Sequence, residues 1–149
     1  MTSALIAFLR ARLDEDAGRA EAARRNSGSG EWRYDTDDDY VSAVEVDPDE
    51  AHARREHWMP LVTEAQSYVG DYMNDDLGQF IAANDPARVL DDVESKRQIV
   101  DHMEGLLRYA EGDSEVDHYG AFDAADRTLE WLARPYRDHP DFNPAWLED

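Results

Sequence analysis

The stretch that decides the fold is residues 80–111, which read FIAANDPARVLDDVESKRQIVDHMEGLLRYAE. Asp85 suits the N-cap of a helix, because its carboxylate can accept hydrogen bonds from the free N–H groups of the first turn. Pro86 suits the first helical position, where no N–H is needed and φ is already fixed. The sequence therefore predicts a central helix from Pro86 to Glu111, roughly 39 Å long at ~1.5 Å per residue.

The apolar side chains of this helix recur at alternating steps of four and three, which is the spacing of one helical face. The face is broken only by Lys96 and occupies positions 89, 93, 96, 100, 103, 107 and 110. Oppositely charged pairs four residues apart contribute only ~0.2–0.5 kcal/mol each; they are Asp92 with Lys96, Arg97 with Asp101, and Glu104 with Arg108. Packing of the apolar face must therefore supply most of the stability.

An earlier amphipathic pattern predicts a first helix from Ser3 to about Arg25. Its apolar stripe, with Phe8 beside it, consists of Leu5, Ile6, Leu9, Leu13 and Ala17. The charged positions of its first turns are expected to face outward; they are Arg10, Arg12, Asp14, Glu15 and Asp16. Residues 26–30, which read NSGSG, then predict a loop.

A small antiparallel hairpin or meander is predicted next, with a strand at residues 32–34, a turn at 35–39 and an alternating strand at 40–46. Asn74 can cap a short helix whose apolar side chains, Leu77, Phe80 and Ile81, are expected to turn inward. A C-terminal helix follows the central one and ends at Pro135. Its tail is rich in proline and aromatic residues, which predicts an ordered strap. The predicted fold class is α+β.

The chain has 149 residues and no cysteine. This length predicts a single domain, residues 1–149. Without cysteine there is no disulfide framework, thiolate nucleophile or Cys-ligated metal site. No apolar run reaches the ~18–20 residues of a membrane span, and the amphipathic first residues lack the pattern of a signal peptide. We therefore expect a cytoplasmic protein that does not enter a membrane.

The formal net charge is −20, and most of it follows the first helix. Residues 31–86 hold three Arg against fifteen acids, whereas residues 1–30 hold five Arg against four acids. This shortage of cations disfavours direct binding to nucleic acid or to an anionic membrane. Two interpretations of the acidity remain open: it keeps a small protein soluble, or it steers a basic protein partner to the surface.

Three segments together resemble an uncharacterised family of small acidic proteins from actinobacteria and their phages. They are residues 8–16 (FLRARLDED), residues 84–97 (NDPARVL, then VESKR) and residues 132–141 (LARPYRDHPD). The Asp-Pro-Ala-Arg-Val-Leu block is the most specific of them. The resemblance implies an architecture but no activity, because the family is a domain of unknown function. Many of its relatives carry cysteines between the middle helix and the last one, where this chain has an acidic link, so no metal role of that region carries over.

The carboxylates of the predicted hairpin turn invite comparison with a calcium loop. Asp35, Asp37 and Asp39 match its first three ligand positions. Tyr40 and Val46, however, stand where the loop needs a Gly and a bidentate Glu. We therefore predict a solvated turn, with no metal and no cofactor.

Two groups of residues offer acid–base chemistry of the kind that a small hydrolase or metal-dependent enzyme uses. The first is Asp138, His139 and Asp141 in the tail, and the second is His52, Glu56 and His57. Neither group forms a recognised catalytic motif. Turn-rich composition explains the tail group equally well, so catalysis remains the alternative interpretation.

Aromatic side chains lie in or beside the acidic middle of the chain. Aromatic residues mark interface centres and acidic rims steer basic partners, although large aromatic residues are also usual core residues. The sequence favours a non-catalytic module that binds a basic host protein, with a nucleic-acid mimic as the sharper version. The predicted binding residues are Trp32, Asp35, Asp37, Asp38, Asp39, Tyr40 and Trp58.

Overall fold

A computed structural model of the chain describes residues 2–36, 40–44, 75–112 and 119–147. These ranges contain four α-helices: α1 (Thr2–Ser27), α2 (Asp75–Ala83), α3 (Pro86–Gly112) and α4 (Tyr119–Ala133). Between α1 and α2 lie the strands β1 (Trp32–Asp35) and β2 (Tyr40–Ala43). Two 3-10 helices, Arg134–Tyr136 and Pro144–Trp146, follow α4. The predicted α+β layout is confirmed.

The chain divides into two compact units. Unit 1 contains Met1–Asp16 and Asp92–Asp149, and unit 2 contains Ala17–Asp91. Helices α1 and α3 each contribute residues to both units. No helix within the described ranges has the length and apolar character needed to cross a membrane.

Helix α3 begins as its sequence predicts, because each free N–H of its first turn has an acceptor. Pro86 has no N–H, and the N–H of Ala87 donates to the carbonyl of Gly30 at 2.9 Å. The N–H of Arg88 donates to Oδ1 of Asp85 at 2.8 Å, which confirms the predicted N-cap. The N–H of Val89 then makes the first helical bond, to the carbonyl of Asp85 at 3.0 Å.

The core of unit 1 is formed by the apolar faces of α1, α3 and α4. Its fully buried members include Leu9 and Leu13 of α1, Val100 of α3 and Leu129 of α4. Polar contacts tie the same helices together at their edges. Arg10 of α1 pairs with Asp101 of α3 at 2.6 Å, and the hydroxyl of Thr2 donates to Asp126 of α4 at 3.1 Å.

The tail of unit 1 packs against α1 through an aromatic cluster centred on Phe8. The ring of Phe8 lies 4.9 Å from that of Trp146, 5.8 Å from that of Phe142 and 6.3 Å from that of Tyr136, measured between centroids. The hydroxyl of Tyr136 also donates to Asp16 of α1 at 2.6 Å. The predicted ordered tail is confirmed, and this cluster explains why it is ordered.

Unit 2 is organised around the hairpin, with Trp32 opposite Ala43 and Asp35 opposite Tyr40. Helix α2 packs on β1, and the ring of Tyr34 lies so close to Gly78 that a Cβ there would overlap it. Helix α1 ends at Gly28, whose φ of 78° is the left-handed conformation that favours glycine.

Three details of the predicted fold are wrong. Leu77 and Phe80 face solvent instead of the interior, because α2 buries its Gly78 side against Tyr34. Arg12 is buried instead of exposed, because the tail covers it. Arg97 pairs with Asp14 at 2.6 Å rather than with Asp101, which instead pairs with Arg10.

Candidate functional site

The described members of the predicted binding site, Trp32, Asp35 and Tyr40, lie on the hairpin of unit 2. Trp32 is half-buried, and its indole N–H donates to the hydroxyl of Ser27 at 3.2 Å. Its backbone N–H points at Oδ2 of Asp85 at 3.4 Å. Trp32 therefore links the hairpin to the end of α1 and the start of α3, and its ring is only partly available to a partner.

The other predicted binding residues are described unevenly. Asp35 is half-buried at the end of β1, and Tyr40 begins β2 directly opposite it in the register. Asp37, Asp38, Asp39 and Trp58 lie outside the described residues, as do His52, Glu56 and His57 of the alternative catalytic group.

Tyr34 connects this hairpin to helix α2. Its hydroxyl donates to Oδ1 of Asp75 at 2.9 Å, and its ring lies against the backbone of Gly78. The hydrogen bond holds a carboxylate at the first turn of α2, where negative charge is favourable. The sequence places Tyr34 in a strand but does not assign it this role. The unusual glycine inside a short helix was the signal available for it.

A second group of polar side chains lies in unit 1, centred on the buried Arg12. The guanidinium donates from Nη2 to Oε1 of Glu15 at 2.8 Å and reaches Oδ2 of Asp141 from Nη1 at 3.4 Å. The same Nη1 contacts the imidazole of His139. Its Cζ also lies 5.1 Å from the centroid of the Phe8 ring, in a cation–π arrangement. Its Nε is buried with no hydrogen-bond partner.

His139 serves as an acceptor in this group. The backbone N–H of Asp141 donates to Nδ1 at 3.1 Å, and Arg12 contacts the same atom. Arg12 Nη1 also contacts Nε2, so the guanidinium lies against both ring nitrogens. That Nε2 lies 3.9 Å from Oε2 of Glu15, which is too far for a direct hydrogen bond.

Of the alternative catalytic residues, the structure therefore brings His139 and Asp141 together but leaves Asp138 apart. The side chain of Asp138 is 95% exposed, and its ion pair is with its neighbour Arg137 at 3.9 Å. Arg12 and Glu15, which sequence reasoning placed on the outer face, complete the group instead. The i, i+4 spacing of Phe8 and Arg12 is the signal that could have placed Arg12 on the buried side.

A network of charged side chains runs along α1 and α3 in unit 1. Glu104 accepts from Arg10 at 2.8 Å and from Arg108 at 2.6 Å. Two hydrogen bonds hold the pKa of the Glu104 carboxyl below its ordinary value, and the bond from Arg10 has a larger effect than the bond from Arg108. The hydrogen bonds that Arg10 donates to Glu104 and Asp101 raise the pKa of Arg10, and the bond to Glu104 has the larger effect.

A cleft of about 230 Å³ opens beside this network. It is lined by both polar and apolar side chains, namely Thr2, Ser3, Ile6, Glu104, Leu107, Arg108 and Phe122. None of Asp138, His139 and Asp141 lines it. The tail group and this cleft are therefore separate features of unit 1. In the part of the chain that the structure describes, no group of three or more His, Asp or Glu side chains is arranged to hold a metal ion.

The charge balance of the described residues favours an acidic surface. Eight of their basic side chains form ion pairs with carboxylates: Arg10, Arg12, Arg24, Lys96, Arg97, Arg108, Arg127 and Arg137. In the pairs Arg97–Asp14 and Arg10–Asp101 the carboxylate is the more exposed partner. In the pair Arg108–Glu104 the order is reversed, and the cation is the more exposed partner. These cations are thus engaged in ion pairs within the chain, and Asp14 and Asp101 are carboxylates that still face solvent.

Comparison with known proteins adds a family but no activity. No match to the chain was found among curated proteins or among solved structures. The family of unknown function DUF6221 has a model that matches residues 2–148. Because this match spans nearly the whole sequence, the chain belongs to that family.

Proposed function

We propose that this chain is a non-catalytic acidic module that binds a basic protein. The observation that carries the proposal is the engagement of cations in internal ion pairs, in a chain whose net charge is −20. Acids that remain at the surface attract a cationic partner over several ångströms and raise its association rate. Such a surface repels nucleic acid, so the partner is a protein.

The hairpin is the centre of the proposed surface. Residues 35–39 carry four carboxylates in five positions, next to the half-buried Trp32 and Asp35 of β1. The sharper version of the proposal is a nucleic-acid mimic, in which these carboxylates occupy phosphate sites of a DNA- or RNA-binding protein. Carboxylates ~5–6 Å apart on a helix have a density comparable with phosphates spaced ~3.4 Å along each strand of DNA.

The proposal extends to origin and location. The three sequence segments that resemble proteins of actinobacteria and their phages support an actinobacterial or actinophage source. In that case the partner is a host protein in the cytoplasm. A phage-encoded mimic would act on a host enzyme that normally binds nucleic acid.

The test uses the full chain as bait for an actinobacterial lysate, followed by rate measurements on the captured partner. We expect the association rate to fall steeply between low salt and ~0.15 M salt, where the screening length is ~8 Å. The triple variant Asp37→Asn, Asp38→Asn and Asp39→Asn should lower the rate at low salt and leave the melting temperature unchanged or higher.

A matched variant separates the hairpin from net charge alone. Glu94→Gln, Asp123→Asn and Asp138→Asn remove the same three charges from exposed positions of unit 1. We expect this variant to retain most of the association rate. Equal binding at low and high salt would refute the electrostatic proposal. Salt dependence without competition from duplex DNA would refute only the mimic version.

A small hydrolase or metal-dependent enzyme is the second candidate, because His139 lies beside Asp141 and Glu15. Arg12 lies against both ring nitrogens and the backbone N–H of Asp141 donates to Nδ1, so the geometry favours a structural role for His139. Hydrolysis of model ester or phosphoester substrates by the full chain, abolished in His139→Gln at unchanged melting temperature, would instead favour catalysis.

A further inference from the structure

Helix α2 carries two large apolar side chains that are exposed. Leu77 is 52% exposed and Phe80 is 67% exposed. They are three residues apart, so their side chains are neighbours on the surface of the helix, about one turn from each other. Single exposed apolar residues are ordinary on protein surfaces. Two large ones that form a ridge on a helix of nine residues are a candidate anchor.

The packing of α2 explains why this ridge points outward. The helix buries Gly78 against the ring of Tyr34, and a Cβ at position 78 would overlap that ring. The close approach fixes which side of α2 faces the hairpin. Leu77 and Phe80 are thereby held on the remaining surface, at a rigid element rather than on a loop.

The end of α2 is also fixed, which keeps the ridge in place. The side-chain amide of Asn84 donates to the carbonyl of Phe80 at 2.7 Å. The guanidinium of Arg88 donates to the carbonyl of Ala83 at 2.7 Å. Both bonds satisfy carbonyl groups that the end of a helix leaves open. A preorganised anchor loses little conformational entropy on binding.

The surroundings of the ridge are acidic. Asp75 and Asp76 occupy the first turn of α2, and Asp76 lies one turn before Phe80 on the same face. Asp35 follows Tyr34 in β1, the strand on which α2 packs. Residues 31–86, which include the hairpin and α2, carry three Arg against fifteen acids. An apolar centre with an acidic rim fits a partner with an apolar stripe between cationic side chains.

We infer that the Leu77–Phe80 ridge docks an amphipathic basic helix of the partner protein. Anchors one turn apart form a ridge that fits between the side-chain rows of a second helix. Lysine and arginine on the flanks of that helix would meet the carboxylates of α2 and β1. This inference rests on the proposed function and names the part of the partner that the acidic module recognises.

The test uses the full chain and a defined probe. The probe is a labelled peptide of about 18 residues, roughly five helical turns, made of Leu and Lys with leucines at i, i+3, i+4 and i+7. Two control peptides accompany it, a scrambled peptide of the same composition and an oligolysine of the same charge. Fluorescence anisotropy at ~0.15 M salt, where long-range attraction is screened, gives the dissociation constants.

We expect the amphipathic peptide to bind to the parent chain about tenfold or more tightly than either control peptide. The double variant Leu77→Ser, Phe80→Ser should remove that difference in affinity. The matched variant Trp131→Ser, which changes a 60% exposed side chain of α4, should leave it intact. Both variants should keep the melting temperature of the parent chain, because the replaced side chains are exposed.

Three results would overturn the inference. If all three peptides bind equally and the Phe80 variant behaves as the parent, the acidic module stands but the ridge is not its anchor. If Phe80→Ser lowers the melting temperature by several degrees, the chain itself covers the ridge. If the parent chain dimerises in sedimentation and Phe80→Ser does not, the occupant is a second copy. Absence of salt-dependent binding by any cationic peptide would instead refute the proposed function.

Discussion

Alanine at position 78 tests how α2 is held on the hairpin. A Cβ built on Gly78 would lie 2.8 Å from Cγ of Tyr34 and closer still to Cδ2 and Cε2, whereas ordinary contact begins at 3.4 Å. The ring must therefore retreat by more than the 0.6 Å that separates those two distances at Cγ, because Cδ2 and Cε2 lie closer. It cannot swing away freely, because its hydroxyl is bonded to Asp75 at 2.9 Å.

The magnitude follows from two opposing effects. Overpacking of this kind costs ~1–3 kcal/mol, while replacing glycine by alanine inside a helix gains ~1 kcal/mol. Gly105 of α3 is the matched control, since nothing lies within 4 Å of a Cβ built there. Gly105→Ala should stabilise the chain by nearly the full helical gain. Gly78→Ala should lie ~1–3 kcal/mol below Gly105→Ala in the free energy of unfolding.

Urea unfolding monitored by circular dichroism measures both variants against the parent chain. A change of 1 kcal/mol in the free energy of unfolding corresponds to a shift of roughly 2–4 °C in melting temperature for a protein of this size. In a Tyr34→Ala background, Gly78→Ala should recover most of the helical gain relative to Tyr34→Ala alone, because the ring is then absent. Equal stabilisation by Gly78→Ala and Gly105→Ala would refute the described packing of α2 on Tyr34.

Three further predictions concern unit 1. Val100, which is 0% exposed in α3, should not tolerate an unpaired charge, so Val100→Asp should abolish the cooperative melting transition seen for the parent. Trp146→Ala should lower the free energy of unfolding by ~3–5 kcal/mol, because it removes a large ring from the aromatic cluster on Phe8. In the same urea assay, Trp131→Ala on the surface should change the free energy of unfolding by less than ~0.5 kcal/mol. The lowered pKa of Glu104 means that its contribution to stability is present above the pKa of an unfolded Glu and is lost as pH falls through the folded value. The acid limb of a stability–pH curve should therefore be shallower in Glu104→Gln, and an unchanged limb would contradict the ion pairs with Arg10 and Arg108.

Helix α3 could be predicted from the sequence because its determinants are local. The cap, the proline at the first position and the buried face with Val93, Val100 and Leu107 all lie within the helix itself. Two of the three predicted i, i+4 ion pairs, those of Lys96 and Arg108, also form. The third is replaced by the pair of Arg97 with Asp14, a residue 83 positions away. Residue spacing within α3 carries no information about Asp14, because Asp14 belongs to another helix.

The errors at Arg12 and at α2 have a related cause. An amphipathic pattern identifies a helix but not the element that will cover each side of it. Leu77 and Phe80 form the more apolar side of α2, yet Gly78 is the side that can approach Tyr34. Arg12 is charged, yet the tail brings an aromatic ring, an imidazole and a carboxylate around it. In both cases tertiary contacts override the local preference.

The Arg12 group also shows how a histidine next to an aspartate can be structural. A catalytic pair needs a ring nitrogen free to take a proton from substrate. Here the nitrogen nearest Asp141 already accepts from the backbone, and the adjacent cation is Arg12. The imidazole lies edge-on to Phe8, 5.9 Å between centroids, within the cluster that holds the tail. Two of the tail residues that the sequence offers for acid–base chemistry, His139 and Asp141, are thus used to join the tail to α1 through Arg12.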